Sequence, residues 1–162
     1  MSPPEWLPPL FHFKGNWALY LSALYELFEA DFIVGKPQFR GRRIGLKRHP
    51  MSEGKEATFW HLIQEGPVEE SRLPDLKRCE RIRWPRPIIE NSEDSTLRVW
   101  MNIRKGEARV LLFLEEEEYL VVLAERKGYL LLWTAYLVDK PHRKRKLLKE
   151  FEDWQKEQGI KS

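Results

Sequence analysis

The stretch "TLRVWMNIRKGEARVLLFLEEEEYLVVLAERKGYLLLWTAYLV", Thr96–Val138, decides the fold. It divides into four apolar runs: "TLRVWMNIR", "ARVLLFLE", "EYLVVLAER" and "GYLLLWTAYLV". The connections "KGE", "EEE" and "KG" are short and polar or carry glycine, as antiparallel hairpins require. The last two runs are almost continuously apolar, which predicts strands covered on both faces. The expectation is a four-stranded antiparallel meander, with helices from the first and last segments packed on it.

Those helices lie on either side. Upstream, "NWALYLSALYELFEADF" places Trp17, Tyr20, Leu21, Leu24, Leu27 and Phe28 at helical spacing, with Asn16 as a cap. Downstream, "DKPHRKRKLLKEFEDWQKE" predicts an amphipathic helix over 139–158. Asp139 is its expected cap, Pro141 falls in its first turn, and Leu147, Leu148, Phe151 and Trp154 form its apolar stripe. Between these flanks, "EATFWHLI", Glu56–Ile63, is rich in aromatic and β-branched residues and reads as a strand. "LPDLKRCERIRWPRP" predicts a short helix over about Asp75–Ile82 that stops before Pro85. "PQFRGRRIGLKRHP" suits a twisted edge strand or a loop, and residues 1–13 are proline-rich and extended. The class is α+β, in a single domain over 1–162.

Composition limits the function. Of 162 residues, 42% are hydrophobic and 33% charged, a mix that folds without disulfides or metals. Net charge is +3 despite a pI of about 9.0, so a nucleic-acid partner has to be argued from local clusters rather than from bulk charge. Cys79 is the single cysteine, which fits a reducing cytoplasm. No Cys/His spacing suits zinc, no signal peptide or membrane span is read, and no cofactor is implied. "EEEE", Glu115–Glu118, reads as a solvated hairpin tip rather than a metal site.

Three groups of residues can carry chemistry. His61 follows two aromatic residues in "TFWHL" and suits proton transfer near neutral pH, or else is a half-buried ring with satisfied nitrogens. His12, His49 and His142 lie in poorer contexts. Arg72, Lys77, Arg78, Arg81, Arg83 and Arg86 crowd one segment, opposed by Asp75 and Glu80. Arginine forks bind phosphate in two-pronged fashion, and the adjacent Trp84 can stack on a base. A solvated helix bridging to acidic stretches explains the same arginines. The basic run "KPHRKRK" is a weaker sign of the same kind. Thr134 and Tyr136, two apart on the last strand, point to one face, as packing hydroxyls or as part of a reactive site.

"GKEATFWHL", "RLPDLKRCERIRWPRPIIE", "VWMNIR" and "EYLVVLAERKGYLLLWTAY" together resemble phage- and plasmid-borne members of the barnase–EndoU–colicin–RelE ribonuclease superfamily, over 55–138. The resemblance implies helices packed on an antiparallel meander and an active site on the sheet face. It implies metal-independent RNA cleavage, with His61 in proton transfer, Arg78 or Arg81 stabilising charge, and Thr134 and Tyr136 positioning phosphate. Arg83, Trp84, Arg86 and Arg104 are the expected RNA contacts. A toxin held by an antitoxin or immunity protein is the partner it implies. The competing expectation is a non-catalytic accessory protein of a phage or plasmid, docking nucleic acid or protein through an arginine patch. An enzyme needs these groups around one cleft, whereas a docking module can have them scattered.

Overall fold

The computed structural model describes residues 2–66 and 73–159. The sheet differs from the sequence expectation: it has six strands and is mixed, not four-stranded and antiparallel. Strands β5 (Leu97–Arg104), β6 (Glu107–Leu114), β7 (Tyr119–Arg126) and β8 (Tyr129–Leu137) pair antiparallel, each with the next. Beyond β8 lies β2 (Arg42–Gly45), paired parallel to it, and then β1 (Gln38–Phe39), giving the order β1-β2-β8-β7-β6-β5. The segment that suited either an edge strand or a loop thus supplies two strands. At the β5–β6 turn, Lys105 and Gly106 both have positive φ, 53° and 75°, the mirror-image turn that matches strand twist.

Five α-helices are described, where three were expected. Helix α1 (Trp17–Phe28) is capped by Asn16, whose side chain accepts from the Leu19 amide. It runs on into a π-helical turn, Glu29–Val34. The segment expected as a strand at Glu56–Ile63 is helix α2 (Ala57–Ile63). Tertiary contacts override its β propensity. Its first two amides donate to the carbonyls of Arg48 and Lys47, and the Thr58 hydroxyl accepts from the Lys47 amide at 2.7 Å. Phe59 packs edge-on to Tyr25 at 5.1 Å. Strands β3 (Gln64–Glu65) and β4 (Leu73–Pro74) form a small separate ladder.

Helix α3 (Leu76–Glu80) is capped by Asp75 and is shorter than expected. It stops before Pro85, as expected, and Pro85 then opens a further helix, α4 (Pro85–Glu90), at a position where no amide is needed. Helix α5 (Pro141–Glu157) follows β8. Lys140, not Asp139, occupies its N-cap without a side-chain bond, and Asp139 faces Lys77 instead, 3.4 Å away.

The sheet separates two cores. One face meets α1, α2, α3 and α4 around Leu24, Phe28, Phe59, Ile88, Leu112 and Leu123. The other meets α5 around Trp100, Phe113, Leu120 and Leu147. Of the last two strands, expected to be covered on both faces, β7 is buried along most of its length, as is the second half of β6, whereas β8 is buried at Leu130, Leu131, Leu132 and Ala135 and half-buried elsewhere. The proline-rich start is an extended strap: Trp6 Nε1 donates to Asp94 at 2.9 Å, and the carbonyls of Pro8 and Pro9 accept from Trp84 and Arg83.

Candidate functional site

The site is built on β8, at a defect. Val122 pairs with Thr134 and Leu123 with Leu132, so Trp133 is an extra residue, a β-bulge. The bulge shifts the strand's alternation. Leu130 and Leu132 before it and Ala135 after it share the first core. Trp133 and Tyr136 turn to the α5 side. Thr134 therefore stands beside Trp133 rather than opposite it, and Trp133, Thr134 and Tyr136 border one cleft. Because β2 pairs with β8 only at Leu130 and Leu131, the rest of that edge is left for α2 and α3 to approach.

Helix α2 brings His61, and α3 brings Arg78. The cleft, of about 200 Å³, is lined by His61, Gln64, Glu65, Arg78, Thr134 and Tyr136, with Gly66 and Trp133 completing it. Arg78 is its centre. Its Nη1 donates to the His61 carbonyl at 2.9 Å and lies 3.5 Å from the Thr134 hydroxyl. Its guanidinium carbon sits 5.3 Å from the centre of the Tyr136 ring, and Asp75 approaches Nε at 3.9 Å. Only 16% of the side chain is exposed, so it is held rather than waving in solvent. The His61 ring packs against Trp133 with centroids 5.7 Å apart. Lys47 and Arg109 also lie over that indole, at 6.0 and 5.6 Å. The Tyr136 hydroxyl accepts from Arg143 of α5 at 2.7 Å.

The other basic residues go elsewhere. Arg81 donates to the Lys77 carbonyl, pairs with Glu80 and stacks over Trp84, outside the cleft lining. Arg83 and Trp84 are taken up by the N-terminal strap, and the Trp84 ring is buried against Tyr119. Arg86 donates to the carbonyls of Ala30 and Asp31. Arg104 lines a second cleft beside α5. Arg72 lies outside the described residues. At the Glu115–Glu118 tip, Glu115 pairs with Arg98 and Glu118 with Lys144, and no cluster of metal-ligating residues is found among the described residues. Cys79 is buried, and burial, then the Asp75 charge, pushes its thiol up to about 12, so it is a packing residue. No described helix is long and apolar enough to cross a membrane.

No known protein family, curated protein or solved structure matches this chain significantly. The functional reading therefore rests on the chemistry of the cleft. Sequence reasoning passed over Trp133, Glu65 and Gln64. Trp133 looks like one more apolar strand residue, because nothing in a linear run of "LLLWTAY" marks where a strand carries an extra residue.

Proposed function

We propose that the protein is a metal-independent endoribonuclease of the barnase–EndoU–colicin–RelE type. The observation that carries this reading is convergence. His61, Arg78, Thr134 and Tyr136 come from three separate elements, two helices and a strand more than 45 residues beyond them, and line one cleft. A docking patch has no need of that arrangement. Its expected arginines are dispersed instead, two of them bound to the N-terminal strap and the π-helical turn.

The chemistry follows from the groups present. A base takes the proton of a ribose 2′-hydroxyl, and that oxygen attacks the adjacent phosphorus. The bond from phosphorus to the 5′-oxygen breaks, and an acid protonates the departing oxygen. The products are a 2′,3′-cyclic phosphate and a 5′-hydroxyl. His61 serves one proton transfer, and Glu65, which lines the same cleft, suits the other. Arg78, pre-positioned by the His61 carbonyl, stabilises the extra negative charge on the phosphoryl oxygens. Thr134 and Tyr136 orient the phosphate. The dependence on a 2′-hydroxyl makes the reaction specific to RNA. A toxin role with a protein antitoxin or immunity partner, in the cytoplasm of a phage- or plasmid-bearing cell, is the biological setting this chemistry suits.

The test is cleavage of labelled RNA in EDTA by the purified protein. His61→Ala and Arg78→Ala are each expected to lose about a hundred-fold or more in rate while staying folded. Arg81→Ala, removed from the cleft, is expected to stay within about tenfold of wild type. A requirement for a divalent ion, or equal losses at Arg78 and Arg81, overturns the reading.

A further inference from the structure

A second cleft opens on the far side of Tyr136, between α5 and the outer face of the sheet. Arg104 and Arg109 line it from β5 and β6, and Arg143 and Lys146 from α5. None of these four cations forms an ion pair among the described residues, although most other arginines near the sheet have a carboxylate within 4 Å. The acid in the lining, Glu150, is engaged by the Trp100 and Asn102 side chains instead. The Arg109 Nε is buried without a hydrogen-bond partner. Four cations against the single carboxylate of Glu150 leave the concavity with excess positive charge, and a polyanion relieves the repulsion among them.

The two clefts share a wall. Tyr136 lines both. Its hydroxyl is held by Arg143 from the second cleft, while its ring lies beneath Arg78 of the first. Arg109 of the second cleft lies over Trp133 of the first. A strand whose scissile phosphate sits at Arg78 is thus led past Tyr136 towards Arg143 and Arg109.

We propose that the second cleft is a phosphate subsite, holding the backbone of the RNA that flanks the cleaved bond. The proposal rests on the ribonuclease reading for its direction, but it is tested by binding. The probe is a fluorescent single-stranded RNA of roughly 12 nucleotides, within the span of a typical single-strand site. Binding is followed by anisotropy across a salt series in the His61→Ala background, where turnover does not interfere. Arg104→Ala combined with Lys146→Ala removes two exposed cations from the cleft. The double variant is expected to lower the slope of log affinity against log salt by about 1.4, at about 0.7 per phosphate contact for a single strand. Lys127→Ala with Lys149→Ala removes the same charge elsewhere and is expected to leave the slope unchanged. Equal losses in the two double variants overturn the subsite, as does the absence of RNA binding by the folded protein, which would turn attention to an acidic protein as occupant. RNA binding that depends on Arg104 and Lys146 without any cleavage by wild type sinks the ribonuclease reading and supports the subsite. Cleavage with no effect of the double variant on RNA affinity does the reverse.

Discussion

Replacing Glu150 by alanine probes how α5 is held to the sheet, and with it the wall between the two clefts. One carboxylate oxygen, Oε1, accepts from Trp100 Nε1 at 2.7 Å and from Asn102 Nδ2 at 2.9 Å. The Trp100 side chain is fully buried, and the Glu150 carboxylate is the acceptor for its indole N–H. Losing a hydrogen bond to a charged acceptor while stranding a buried donor costs about 2–3 kcal/mol. In a protein of this size each kcal/mol moves the melting temperature by about 2–4 °C, so Glu150→Ala should lower it by about 4–12 °C. Glu150→Gln keeps an oxygen acceptor and should cost about half as much. Trp100→Phe removes the indole donor, and Glu150→Ala in that background should cost about 1–2 kcal/mol less than in wild type. Calorimetry and urea titration of the four proteins close the cycle. A loss below about 0.5 kcal/mol for Glu150→Ala, or the same loss in both backgrounds, refutes the reasoning.

Gly35→Ala should cost about 2 kcal/mol, because a β-carbon there meets the Arg86 guanidinium and the carbonyls of Ala30 and Asp31. A melting temperature within a degree of wild type would show that the guanidinium and both carbonyls give way easily. Asp31 tests pH dependence: burial raises its carboxyl from 3.8 to about 6, against the pull of Arg86 and Arg83. Between those values the native state keeps a proton that the unfolded chain releases, so this group's contribution to stability falls as pH rises from about 4 to 6 and then levels off. Asp31→Asn should match wild type below pH 4 and exceed it in melting temperature above pH 6, and a pH-independent difference would rule out the assignment.

Legibility in the sequence followed the length of each pattern. Helix α1 spans three turns with a stripe at Tyr20, Leu24 and Phe28, and such a repeat has one reading. The β5–β8 hairpins announce themselves by turn chemistry at Gly106 and Gly128. Strand β2 does not, because four residues carry no period and its partner β8 lies far along the chain. Helix α2 is misread because Thr58, Phe59 and Ile63 suit a strand locally, and only burial against α1 and β8 decides otherwise. In the site, residue type pointed to His61, Arg78, Thr134 and Tyr136. It could not separate Arg78 from Arg81, Arg83 and Arg86, since the difference lies in which carbonyl or carboxylate each one meets.

The N-terminal strap bears on the order in which the chain assembles. It is made before the groups it binds, Glu80, Trp84 and Asp94, which follow some 70 to 90 residues later, as the separations of 76 and 88 for Trp84 and Asp94 show. Closing so long a loop costs entropy that only a formed α3–α4 corner can repay. The strap is therefore a late clamp: it settles on a corner that has already folded, and it braces from outside the turn that follows Arg78. A protease that clips residues before Leu7 would remove the Trp6 bond to Asp94 and leave the bonds of Pro8, Pro9 and Phe11 to the corner in place.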